Sequence, residues 1–182
     1  MSRMLIAVAL RQEAAYLPPE DVVLIGAGKV SAASNLAAAI AERRPSRVLN
    51  VGTAGALRPG LEGVHRVGRV LEHDFDRLAI EAITGDPVPG EIVLDEASPI
   101  TLATGDLFVQ DEAVRQRLAQ RADLVDMEGY AVARTCAAFD VPCTLLKIVS
   151  DEAGDEAASS WVESIDRLAR QIAEVVRDRG RG

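Results

Sequence analysis

Aromatic side chains make up only 3% of the 182-residue chain, and lysine, histidine and cysteine occur twice each. Each scarcity removes a class of function. So few rings provide no stacking platform for single-stranded nucleic acid. A formal net charge of −8, with Lys29 and Lys147 as the sole lysines, argues against a sequence-independent grip on phosphates. No nucleic acid is expected as a partner. His65 and His73 are too few and too isolated for a zinc site, which needs a cluster of imidazole or thiolate ligands, so no metal is expected. Cys136 and Cys143 do not form a C-x-x-C pair and sit in apolar surroundings, which reads as small core residues in a reducing compartment. No apolar run reaches the roughly 18 residues of a membrane span. The first residues run straight into Arg11 and Glu13 without a signal-peptide cleavage pattern. The expectation is a soluble, cytoplasmic protein without a membrane partner.

What is present is a chain 48% hydrophobic, well above the range of a solvating, disordered composition. A prior of roughly 150 residues per domain assigns residues 1–182 to one domain, and a chain of this size buries about 70% of its unfolded surface. No repeat or linker divides it. Strand-length apolar runs fall at Met4–Ala9, Val22–Ile25 and Arg47–Val51, with further short candidates at Val64–Leu71, Ile92–Leu94, Ile100–Ala103 and Leu124-Val125. Cys143–Val149 is the longest β-rich run and ends at Ser150-Asp151. Between them, Val30–Arg44 has helical spacing, with Val30, Ala33, Ala37 and Ile40 on the predicted inner face. Asp111 is placed to cap a helix carrying Val114 and Leu118, and Met127–Phe139 reads as another helix. A capping box, Ser160-Trp161-Val162-Glu163, predicts the start of a last helix with Ile165, Leu168 and Ile172 inward. Continuous apolar strands separated by helices imply an α/β fold with a largely parallel sheet covered on both faces. In such folds the ligand crevice lies beyond the carboxyl ends of the strands. Glu13, the Gly52–Gly55 run, Glu128 and Asp151 all follow predicted strands.

Each motif has a plain reading beside a functional one. Gly26-Ala27-Gly28-Lys29-Val30-Ser31 follows a strand and opens a helix, as a dinucleotide fingerprint does. The third glycine is replaced by Ser31, and no acidic residue ends the next strand, so a tight strand-to-helix turn is favoured. Gly52-Thr53-Ala54-Gly55 is either an ordinary small-residue turn or a place where backbone amides approach a ligand. Glu128 is either a carboxylate favoured by a helix dipole or a ligand group. Asp151 could simply cap a turn.

Taken in order, Asn50–Leu57, Ala103–Phe108, Asp126-Met127-Glu128-Gly129 and Ile148-Val149-Ser150-Asp151 resemble signature segments of the purine nucleoside phosphorylase and nucleosidase superfamily. The likeness is nearest to its methylthioadenosine/S-adenosylhomocysteine nucleosidase branch. It runs from Leu5 to the last helix and is weakest over residues 60–100. The resemblance implies a three-layer α/β/α sandwich around a mixed, partly barrel-like sheet, and cleavage of a purine N-ribosidic bond without a cofactor. It implies Asp151 as the acid that protonates purine N7, oriented by Ser150. An aspartate normally titrates near pH 4, so that role needs a dry pocket. Glu128 corresponds to the glutamate that holds the ribose 2′- and 3′-hydroxyls, and its charge favours an oxocarbenium-like transition state. Met127 would pack on the sugar, Phe108 and Trp161 would line the base, and the Val109 backbone would read the purine edge. Trp161 is equally well read as a core anchor at the helix start. Thr53, Ala54 and Gly55 complete the substrate-binding set.

The segment Ala9–Leu17 is similar to the nucleosidase segment whose glutamate activates water, which makes Glu13 the general base. The glycine-rich, arginine-bearing phosphate loop of hexameric phosphorylases has no counterpart there, although Arg11 is close by. A purine nucleosidase is therefore expected, with a phosphorylase and a catalytically silent nucleoside-binding protein as alternatives. The partner would be a small purine nucleoside, and a second copy of the chain in a homodimer. Two departures stand out: Ala56 replaces a usual second glycine, and the stretch between Leu57 and Ile100 is short. The second leaves the 5′ substituent open among methylthioadenosine, S-adenosylhomocysteine, 5′-deoxyadenosine, futalosine and unmodified purine nucleosides. His73-Asp74, which resembles a family pair in this stretch, is read as structural.

Overall fold

The computed structural model describes residues 4–153 and 157–179. In chain order, β1 (Met4–Val8) and β2 (Val22–Leu24) precede α1 (Lys29–Arg43), followed by β3 (Arg47–Ala56), β4 (Val64–Arg66) and β5 (Arg69–Glu72). Then come α2 (Arg77–Thr84), β6 (Ile92–Val93), β7 (Thr101–Thr104), α3 (Glu112–Leu118) and β8 (Leu124–Asp126). The chain closes with α4 (Gly129–Ala138), β9 (Cys143–Glu152) and α5 (Ala157–Arg179).

The two-residue period of a strand sorts its side chains into layers. From β1, Leu5 and Ala7 join Leu36 and Ile40 of α1 and Val132 and Cys136 of α4. Ile6 and Val8 point the other way and pack with Leu49, Val51, Leu146 and Ile148 against Leu168, Ile172 and Val176 of α5. A smaller cluster under α3 joins Leu71, Ala103 and Val125 to Leu118. Each fully buried leucine or isoleucine contributes about 1.5–3 kcal/mol through the water it no longer meets. Cys136 and Cys143 are free thiols, as expected of core residues. Among the described residues no helix is long and apolar enough to cross a membrane.

Among the described residues the sheet has nine strands and is mixed. Strand β1 is parallel to β2 and β3, β3 to β9, and β7 to β5 and β8. The pairs β3–β8, β4–β9 and β5–β6 are antiparallel, so the expected largely parallel sheet holds within β2-β1-β3-β9 and within β8-β7-β5, and the two blocks meet at an antiparallel junction between β3 and β8. The long β3 organises the whole. One edge runs beside β9 from Val48 to Ala56. The other edge pairs with β1 over Arg47–Asn50 and with β8 only at Gly55 and Ala56. Among the described residues, 51–54 thus have no strand neighbour on that edge, and a cavity opens there.

Several local expectations need correction. Gly52–Gly55 is the carboxyl half of β3 and not a turn, because β9 runs beside it and supplies ladder partners. The inner face of α1 is Ala32, Leu36, Ala39 and Ile40, while Val30 is 80% exposed. An alanine-rich helix offers several weakly apolar stripes, and contact with α4 selects the one that carries Leu36. Val64–Leu71 divides into β4 and β5, and α2 is a helix that the sequence pattern does not announce. Helix α5 begins at Ala157, so the expected capping box lies inside its first turns. The Asp111 cap is present, its carboxylate accepting the Val114 N–H at 2.9 Å.

Candidate active site

The eleven residues singled out from sequence (Glu13, Thr53, Ala54, Gly55, Phe108, Val109, Met127, Glu128, Ser150, Asp151 and Trp161) all line one cavity of about 310 Å³. That volume suits a small ligand. The walls come from the ends of β1, β3, β8 and β9, the start of α5 and the loop after β7, the crevice position expected of such a sheet.

Glu13 sits on the segment after β1, 2% exposed, against the unpaired edge of β3. Its Oε1 accepts from the Thr53 backbone N–H and from the Thr53 hydroxyl, each at 2.8 Å. Its Oε2 accepts from the Leu10 N–H at 3.1 Å. The carboxylate thus takes the amide that a neighbouring strand would have used. A side chain at Gly52 would put its Cβ 3.3 Å from Glu13 Oε1, so glycine there permits the approach. The Thr53 amide, expected to face a ligand, is given to the protein's own carboxylate.

Asp151 owes its direction to a β-bulge. The β3–β9 register runs from Ala54–Val149 to Gly55–Asp151, leaving Ser150 as the extra residue. Two consecutive side chains then reach the cavity, which a regular strand would not allow. The Ser150 hydroxyl donates to Asp151 Oδ2 at 2.5 Å. Burial pushes the Asp151 carboxyl above its ordinary range, against the opposing effect of that hydrogen bond.

Glu128 occupies the N-cap of α4 without a side-chain cap bond; Asp126 accepts the Gly129 N–H at 2.8 Å in its place. The Glu128 side chain turns into the cavity and accepts from the Gly28 N–H at 2.9 Å. Gly28 presents that amide at φ 81°, a conformation that favours glycine. Burial, then the charge of Asp126, raise the Glu128 carboxyl to about 7. Lys29, next in the chain, bonds Glu72 and Asp74 at 2.5 Å each. The amide and lysine of this glycine loop are therefore committed to carboxylates of the protein, in keeping with the tight-turn reading. Asp74 also accepts from the Asp106 N–H at 2.7 Å, a structural use of the His73-Asp74 pair.

Lys147, Asp126 and Asn50 also line the cavity and were not singled out from sequence. Lys147 Nζ lies 2.8 Å from Asp126 Oδ2, the two side chains 2% and 1% exposed. Burial opposes the ammonium charge, yet the carboxylates of Asp126, Glu128 and Glu13 outweigh it and raise its pKa. The available signal was a lone lysine inside the apolar run of β9, because a buried charge needs a partner. Among the described residues no arginine lines the cavity. Arg11 is exposed, Arg58 pairs with Asp123 at 3.1 Å, and Arg69 with Glu91 at 2.9 Å.

The chain belongs to the phosphorylase superfamily, whose family model matches residues 20–178. Among its relatives is the 5′-methylthioadenosine/S-adenosylhomocysteine nucleosidase of Geobacillus kaustophilus, 32% identical over 83% of this chain and 74% of that protein. The aminodeoxyfutalosine nucleosidase of Campylobacter jejuni is 30% identical over 82% of this chain and 75% of its own. In fold, the chain matches a Helicobacter pylori MTAN mutant with 5′-methylthioadenosine in its active site. The TM-score is 0.86 at 22% identity, covering 98% of this chain and 97% of that one.

Proposed function

We propose that the protein hydrolyses the N-ribosidic bond of a purine ribonucleoside, releasing free base and sugar. The observation that carries this reading is a pair of differently prepared carboxyls on one cavity. Asp151 is pushed by burial toward its proton-bearing form, while Glu13 is fixed as an acceptor by three donors. As the C–N bond breaks, the purine gathers negative charge and the ribose positive charge. Asp151 gives its proton to purine N7. Glu128, with one oxygen held by Gly28, offers the other to the ribose hydroxyls, and in its ionised form it favours the cationic sugar. Glu13 takes a proton from water, whose oxygen joins the anomeric carbon. Solvent then restores the two carboxyls. Phe108, Val109 and Trp161 form the base side of the site, with Met127 against the sugar. The named relatives support a 5′-modified adenine nucleoside as the substrate class.

Phosphorolysis would require fixed positive charge for an incoming phosphate. The cation on the described walls is Lys147, already committed to Asp126, and anionic Glu13 would repel a dianion. The test is turnover of 5′-methylthioadenosine, S-adenosylhomocysteine, futalosine and adenosine in phosphate-free buffer, with identification of the sugar. Free sugar is expected. Asp151→Asn should lose about 10²–10⁴-fold in rate, the usual worth of general acid catalysis, and Glu13→Gln should be inactive. Ribose 1-phosphate formed only on phosphate addition would make the enzyme a phosphorylase.

A further inference from the structure

Trp161 is the one tryptophan of the chain, and its indole N–H is taken by an oxygen of the protein. It donates to Thr53 Oγ1 at 3.1 Å, across 108 positions of sequence. An indole nitrogen can only donate, so the Thr53 oxygen must accept here. A threonine hydroxyl has a single hydrogen, and that hydrogen is directed at Glu13 Oε1, 2.8 Å away. The Thr53 backbone N–H reaches the same Oε1 at 2.8 Å. Both lone pairs of Oε1 are then in use. Among the described residues Oε2 carries one bond, from Leu10 N–H at 3.1 Å, which leaves it a lone pair.

We propose that Trp161 is a positioning residue for the base. Its indole N–H fixes the Thr53 hydroxyl as a donor to Glu13 Oε1 and so leaves Oε2 as the oxygen that takes the proton from water. In that step a water O–H bond breaks, its hydrogen goes to Oε2, and the water oxygen bonds the anomeric carbon. An aromatic ring without an N–H would fill the same wall and leave the Thr53 hydroxyl free to turn toward another acceptor. The indole also ties α5 to β3 at the point where Glu13 docks, so helix and base take up their positions together.

This inference rests on the assignment of Glu13 as the base, and the tests separate the two. Trp161→Phe keeps a ring and removes the donor. It should lower kcat by about five- to tenfold, the worth of one such hydrogen bond, with KM changed by less than about twofold because the substrate contacts persist. In a Thr53→Val background the link is already broken, so Trp161→Phe should cost less than about twofold further, the non-additivity expected of coupled groups. The lone indole gives a single N–H proton resonance, which should move upfield in Thr53→Val when its acceptor is removed. Circular dichroism confirms that each variant is folded. Wild-type kcat in Trp161→Phe, equal losses in both backgrounds, or an unmoved indole resonance in Thr53→Val would each overturn the proposal. Should Glu13→Gln turn over normally, the base assignment falls, and the relay to it falls as well. An inactive Glu13→Gln beside a fully active Trp161→Phe removes the relay alone.

Discussion

At the scale of single residues, the cavity concentrates carboxyls that folding alone would avoid. Glu128 is 8% exposed, and burial with the nearby Asp126 raises its carboxyl from 4.5 to about 7. A raised acid holds its proton in the folded state over a window where the unfolded chain has released it. The contribution of Glu128 to stability is therefore full below about pH 4.5 and is lost as pH rises to 7 and beyond. Glutamine at 128 keeps an oxygen for the Gly28 N–H and has nothing to titrate. Between pH 5 and 8, Glu128→Gln should therefore lose on the order of 2 kcal/mol less stability than the wild type. Denaturant melts at the two pH values measure this, and parallel losses would show that Glu128 titrates normally. Asp151, also raised by burial, adds a slope of the same sign to both proteins. The convergence of these carboxyls on one cavity was legible in the sequence because Glu13, Glu128 and Asp151 each lie near the carboxyl end of an apolar run, although β9 extends through Asp151 to Glu152. Lys147 was not, since only the pairing of β3 with β9 and the cap of α4 bring Asp126 and its ammonium together.

At the scale of elements, the strand–helix alternation could be read directly from apolar runs, because each run buries against a helix whatever its neighbours. The features that depend on distant partners could not. The carboxyl half of β3 looks like a turn until β9 is known to lie beside it, and α2 buries no residue that would mark it by periodicity. The bulge in β9 belongs to the same group, and it matters most for chemistry. It brings the Ser150 hydroxyl 2.5 Å from Asp151 Oδ2, where donation favours the anion and partly offsets burial. Removing the donor leaves burial unopposed. In Ser150→Ala the alkaline limb of the pH–rate profile should move up by about one unit, the value of a hydrogen bond to a charged group. Turnover at low pH should fall as well, since the carboxyl loses its orienting contact. An unmoved alkaline limb would mean that the acid titrates independently of Ser150.

At the scale of the whole molecule, the surface around α2 is unusually apolar. None of the eight residues of α2 is buried, and Leu78 and Ile83 are 67% and 79% exposed. A two-turn helix is marginal alone in water and owes its stability to packing of an apolar face. Asp106 N–H to Asp74 ties the stretch leading into α2 to the loop that carries Leu107, 70% exposed, and Phe108 at the cavity. A patch of this kind, tied through Asp74 and Asp106 to the loop at the cavity, suits a second copy of the chain, and two-fold dimers are the commonest closed assembly. We propose a homodimer in which this face covers the rim of the partner's cavity. Light scattering at micromolar concentration should then give about twice the 19.4 kDa chain mass. Leu78→Glu with Ile83→Glu should return it to the monomer mass. Because the rim would then stand open, KM should rise while the carboxyls that perform the chemistry stay in place, so kcat should change less than KM. A wild-type protein that scatters as a monomer would end this reading. So would a double variant that stays dimeric, since the contact would then lie elsewhere on the molecule.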